Sequence, residues 1–200
     1  MNAMQDRLIV DRNAIELAGR LAYRYESAFF GCSQTVLAAL METFCISNSD
    51  MLRCATAFAG GVARRGTACG SLSGGLMMIG LLTGRDDLEM RDQYMRGMVY
   101  ADRLCKKFED AYGSILCRDI QTIRFGRSFN LLDKDDREAL HNAMRANPEG
   151  CQAVARDAAR WTAEIVVDIL EQGPPLARQY VRLRPNLVRF AHNTFKTAST

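Results

Sequence analysis

Seven of the 200 residues are cysteine, and four of them, Cys32, Cys69, Cys117 and Cys151, share one kind of position. Each follows a turn or loop and opens a helical pattern: Phe30-Gly31-Cys32, Thr67-Ala68-Cys69-Gly70, Ser114-Ile115-Leu116-Cys117 and Glu149-Gly150-Cys151. At a helix start, unsatisfied amides and the positive end of the helix dipole favour a thiolate. The thiolate is the form that ligates a metal or attacks a disulfide, so this placement predicts lowered thiol pKa values. The spacings of 37, 48 and 34 residues exclude a local C-x-x-C knuckle. Four groups from four helix ends would have to converge, as cofactor ligands do in helical bundles. Cys45, Cys54 and Cys105 instead fall in or near helical interiors and read as small buried hydrophobes.

The elements that would position these residues are helical. Apolar residues recur at three- and four-residue steps over 6–28, and a strongly apolar helix runs over Cys32–Phe44. A short helix is expected over Met51–Phe58, a glycine-tolerant one over Ser71–Thr83, and a long one capped by Asp86 and Asp87 that runs to Tyr112. Shorter helices cover 114–124 and 135–146, and a long final one covers Cys151–Glu171. No strand pattern or internal repeat interrupts them. The expectation is an all-α, single compact bundle of about six or seven helices over residues 1–172, followed by a basic extension over 173–200. That extension carries Arg178, Arg182, Arg184, Arg189 and Lys196 and no acidic residue.

The least ordinary stretch is AGGVARRGTACGSLSGG, residues 59–75, with six glycines and the pair Arg64-Arg65. Glycines at 70, 74, 75 and 80 cost a helix about 1 kcal/mol each relative to alanine. Close backbone approach can offset this, with helix–helix contact at Gly74 and Gly80 and a site contact at Gly70. The pairs Asp86-Asp87 and Asp135-Asp136 read as helix caps, and Trp161 and the methionines read as core.

Composition narrows the function classes. A hydrophobic share of 48% supports a real core, and a net charge of +3 is too small to argue for nucleic acid. The longest apolar run, Leu76–Leu82, is far short of the ~20 residues of a spanning helix, and no secretion signal is visible. A cytoplasmic protein is expected, where cysteines serve as thiols, ligands or redox groups more often than as structural disulfides.

The order Cys32, Cys69-Gly70-Ser71-x-x-Gly74, Cys117, Cys151 resembles the redox-active protein family named for its pattern C_GCAxxG_C_C. The text around it agrees: Phe58-Ala59-Gly60-Gly61 before the motif, Met78-Ile79-Gly80 after it, and Phe108-x-x-x-Tyr112-Gly113-Ser114-Ile115-Leu116-Cys117-Arg118-Asp119 at the third cysteine. The resemblance covers about residues 28–170, with Ser71 standing where the family usually has alanine. It implies a redox role whose reaction is poorly defined, often beside oxidoreductase or transporter genes. A similar domain occurs in split-Soret cytochromes with haem, but this chain has no C-x-x-C-H and only His141 and His192, so covalent haem is not expected.

Three readings follow. In the first, Cys32, Cys69, Cys117 and Cys151 hold an iron–sulfur cluster or another metal for electron transfer to an unidentified redox partner protein, with Gly70, Ser71, Gly74, Arg64 and Arg65 around it. In the second, the same cysteines act without metal as a thiol–disulfide oxidoreductase, with Arg64, Arg65 and Arg118 favouring thiolates and disulfides expected in the structure. In the third, the loop over 60–75 cradles an anion in a helical binding module. A homo-oligomer is compatible with all three. No metalloprotease motif, nucleophile elbow or dinucleotide fingerprint is present.

Overall fold

Glycine-bearing turns and polar caps set the helix boundaries in the computed structural model, which describes residues 3–172. These form α1 (Ala3–Phe29), α2 (Cys32–Thr43), α3 (Ser49–Cys54), α4 (Gly70–Thr83), α5 (Arg91–Tyr112), α6 (Cys117–Phe125), α7 (Lys134–Ala146) and α8 (Cys151–Gln172). A 3-10 turn, Ala55–Phe58, extends α3, and no strand occurs among the described residues. The fold is all-α, as expected, with eight α-helices among the described residues where the bundle was expected to have about six or seven.

Asn48 Oδ1 accepts from the Met51 amide at 2.9 Å to open α3, and Asp133 Oδ1 accepts from the Asp136 amide at 2.9 Å to open α7. Asp86 and Asp87 do not cap α5. That helix starts later, at Arg91, and Asp87 Oδ1 instead accepts from the Glu89 amide at 2.9 Å inside the preceding turn.

The core is built on small residues where helices approach closely. α1 lies along α8 and α2, while α4 sits among α2, α5 and α8. Ala18 and Ala22 of α1 and Ala155, Ala158, Ala159 and Ala163 of α8 are fully buried. A Cβ at Gly74 would fall within 3.0 Å of the Ser33 carbonyl oxygen, so this glycine permits the α2–α4 approach. Gly75 plays the same part toward α5 and α8, where a Cβ would lie 2.7 Å from Leu104 Cδ2 and closer still to Thr162 Oγ1. Gly80 has nothing within 4 Å of the Cβ position, which corrects its expected helix contact.

Antiparallel α5 and α8 are tied by Lys107 Nζ to Glu164 at 2.8 Å, by Tyr112 Oη donating to Asp157 at 2.8 Å, and by the Arg103–Asp168 pair. Trp161 packs edge-on to Phe108 with centroids 5.5 Å apart. Met90, Met95 and Met98 are exposed, so the methionines are not uniformly core. A smaller apolar cluster of Leu131, Leu140 and Met144, joined by Phe30, Phe125, Phe129 and Cys151, holds α7 beside the main core. No helix of the described residues is long and apolar enough to cross a membrane. The basic extension expected over 173–200 lies outside the described residues.

Candidate functional site

The glycine-rich loop folds as a left-handed turn. Gly60, Gly61, Val62, Ala63 and Arg64 are consecutive residues with φ of 66°, 72°, 55°, 50° and 64°. For the three that are not glycine this conformation costs about 1–2 kcal/mol each. Hydrogen bonds offset part of it: Ala63 N–H donates to the Ala57 carbonyl at 2.7 Å, Gly66 N–H to Gly60 at 3.1 Å, and Thr67 N–H to Gly61 at 3.0 Å. Gly61 is pressed against the third cysteine, since a Cβ there would lie 2.7 Å from Cys117 Cβ and 2.7 Å from the Thr67 nitrogen.

The chain then runs antiparallel to the segment before α6 through a single bridge, Ala68 with Leu116. Cys69 N–H donates to the Ile115 carbonyl at 2.8 Å, and Cys117 N–H donates to Thr67 at 2.7 Å. This pairing fixes the second and third cysteines side by side at the starts of α4 and α6. Cys32 opens α2 and Cys151 opens α8, so all four cysteines stand at helix starts in the structure.

All four line one cavity of about 650 Å³. The cysteines line it with Ser71, Gln121 and Glu26 as an inner wall, and Phe30, Leu131, Leu140, His141 and Met144 form an apolar outer wall beside α7, against which Cys151 also packs. Gly70 makes the junction possible, because a Cβ there would fall within 3.0 Å of Cys32 Sγ. Arg64 lines the rim, whereas Gly74 and Arg65 are not among the lining residues, Gly74 being taken up by the helix contact with Ser33.

Burial, rather than the helix dipole, dominates the electrostatics. Cys32 and Cys151 are pushed well above the ordinary thiol range by desolvation first, then by Glu26 and the other thiols. Burial likewise raises Cys117 and Cys69, although the Leu72 and Ser71 amides and the Ser71 hydroxyl oppose the rise at Cys69. The expectation of lowered thiol pKa values is therefore corrected. Removal of a charge from water outweighs a few amides at a helix start. Arg64, Arg65 and Arg118 are not among the main influences on these sulfurs; Arg124 favours a thiolate at Cys151. All seven cysteines are free thiols, without the disulfides that the second reading expected. Hydrogen bonds do reach the sulfurs: the Gly60 amide acts on Cys32, and Gln121 Nε2 donates to Cys117 Sγ at 3.6 Å.

Glu26 and Gln121 were not singled out by the sequence. Glu26 is 4% exposed, accepts from Thr35 Oγ1 at 2.7 Å, and is raised to about 8 by desolvation. Gln121 is held by the Phe129 amide, which donates to its Oε1 at 3.0 Å. His141, noted only against haem, stacks on Phe30 with centroids 3.9 Å apart. The remaining cysteines are elsewhere: Cys105 packs partly buried against the main core, as read, whereas Cys54 is exposed and Cys45 half-exposed, which corrects their reading as buried hydrophobes.

Among the described residues no group of three or more His, Cys, Asp or Glu is drawn together tightly enough to hold one metal ion. Zinc–thiolate bonds of about 2.3 Å would require such closeness. The four thiols line one cavity without forming such a group.

Residues 30–165 match the family described as Putative redox-active protein (C_GCAxxG_C_C), and the chain belongs to that family. No curated protein and no solved structure matches the chain.

Proposed function

From membership of a redox-active family and the four sulfurs facing one cavity, we propose that the protein carries electrons on an iron–sulfur cluster held by Cys32, Cys69, Cys117 and Cys151. The arrangement of four helix starts around a single cavity carries this reading. When bound, the cluster supplies reversible one-electron chemistry. The chain's own part is to exclude water and aim donors at sulfur. The Gly60 amide and Gln121 Nε2 are placed to withdraw charge from Cys32 and Cys117, which raises the reduction potential. The raised thiol pKa values disfavour the metal-free reading, because disulfide exchange needs an attacking thiolate. A metal displaces those protons on binding and thereby overcomes the same barrier.

The test is purification without oxygen, followed by the visible spectrum and assays of iron, zinc and acid-labile sulfide. A charge-transfer spectrum with iron and sulfide in equal amounts is expected. A colourless, metal-free protein with seven titratable thiols would sink the reading. Cys69→Ser is expected to abolish iron content and redox response, and Cys54→Ser to leave both intact. Equal effects would show that the cavity does not distinguish these cysteines.

A further inference from the structure

We propose that the outer half of the cavity binds a small organic anion with an apolar body, its charged end held by the arginines around His141. A cavity of about 650 Å³ lies within the range of small-molecule sites. On its outer wall, Phe30, Leu131, Leu140 and Met144 present an apolar surface.

The charged groups are arranged differently. Arg64 and Arg137 line the cavity, and Arg145 lies one turn beyond His141 on α7. All three act on His141, which burial and then Arg145, Arg137 and Arg64 hold below its ordinary pKa, with Glu138 a weaker opposing charge. Elsewhere, Arg127 pairs with Asp136, Arg156 with Asp157, and Arg160 with Glu16, whereas the exposed Arg85 donates to the Leu88 carbonyl. Arg64, Arg137 and Arg145 make no ion pair with a carboxylate among the described residues. Arg137 Nη1 donates to the carbonyls of Leu131 at 3.0 Å and Leu132 at 2.9 Å, which are neutral acceptors. Arg145 Nη1 donates to Asn142 Oδ1 at 2.9 Å, also neutral. Arg64 has no ion pair among the described residues.

Strain points to the same place. Arg64 has a φ of 64° on the left-handed turn, and Phe30, which stacks on His141, has a φ of 56°. Such conformations in bulky residues persist where the surroundings over-determine them, and they concentrate at ligand sites. Glu26 is the carboxyl among the lining residues, and it stands at the inner wall against Thr35, where burial favours its neutral form. A bare inorganic anion would leave the apolar wall unused, and a neutral apolar molecule would leave the Arg64 and Arg137 charges at the cavity without an anionic partner. An aryl or alkyl carboxylate uses both. As a binding site this stands on the outer wall alone; as a substrate site it rests on the redox reading above.

The test is calorimetric titration of the full chain, purified without oxygen, with benzoate, phenylacetate and hexanoate, each compared with its amide and with inorganic phosphate. Iron content and the visible spectrum of the same sample report the redox reading separately. At least one carboxylate is expected to bind about tenfold more tightly than both its amide and phosphate, the size of one charge-assisted contact. Arg64→Gln is expected to remove that preference, while leaving the amide's affinity and the circular dichroism unchanged, and Arg64→Lys to retain it. Carboxylates no tighter than their amides, phosphate binding as tightly as any carboxylate, or an Arg64→Gln variant with the preference intact would each overturn the proposal. Anion preference without iron would sink the redox reading and leave this site standing. Iron without anion preference would do the reverse.

Discussion

The two ends of α4 carry the same residue in opposite surroundings. At Gly70 a Cβ would collide with Cys32 Sγ and approach the Phe58 carbonyl oxygen to 3.0 Å, whereas at Gly80 it would meet nothing within 4 Å. The intrinsic cost of glycine to a helix is alike at both. Only at the first end is it offset, because there the backbone of α4 must come against a sulfur and a neighbouring helix. A similar contrast separates Cys69, buried on the cavity at the start of α4, from Cys54, exposed at the end of α3. Residue type alone therefore does not mark the site; what marks it is the crowding of backbone around side chains that do chemistry.

The most sensitive probe of that crowded end is its buried carboxyl. Glu26 has an ordinary value of 4.5 and is raised to about 8 in the folded chain. Below about pH 4.5 it is protonated in both folded and unfolded states, and its full contribution to stability is present. As pH rises toward 8 the unfolded chain releases the proton while the folded one keeps it, so stability falls across this window and levels off above it. At about 1.4 kcal/mol per unit the loss is at most about 5 kcal/mol. Urea denaturation of the cofactor-free chain from pH 4 to 9 is expected to show this decline, and Glu26→Gln to flatten it. An unchanged slope in the variant would place the titrating group elsewhere.

Next in size is Gly70→Ala. Overpacking against Cys32 Sγ and Phe58 is expected to cost about 2–3 kcal/mol in urea denaturation. It is also expected to lower iron content, since the sulfur must move. A neutral result would mean that the inner wall is looser than the geometry implies. The smallest effect has the opposite sign: Gly80→Ala is expected to stabilise by up to about 1 kcal/mol without changing iron content. A loss of stability there would reveal a contact at the open end and blur the distinction between the two halves of α4.

Much of the architecture was legible from local signals. Gly31, Gly113 and Gly150 punctuate the pattern beside helix boundaries, and the four site cysteines follow from their places after those turns or loops. Glu26 left no such mark. It lies inside an amphipathic helix, where a glutamate reads as one more surface charge until α2 closes over it. Gln121 and His141 are hidden for the same reason. The glycine-rich stretch was recognisable as special, but its glycines do not reveal that Val62, Ala63 and Arg64 would follow them into the left-handed region. Gly80 and Asp87 were over-read, since neither a helical glycine nor an acidic pair says whether a neighbour is present to meet it.

By itself, then, the sequence determined the all-helical fold, the family and the four cysteines, because helix periodicity, turn residues and motif order are properties of neighbours along the chain. The tertiary structure alone decided that these cysteines share one cavity with Glu26, that their thiols are raised rather than lowered, and that three arginines without carboxylate partners gather around His141. Burial and electrostatics depend on which groups remote in sequence end up adjacent and how much water remains between them. At the four helix starts, desolvation by the assembled fold outweighs the local dipole that the sequence could foretell.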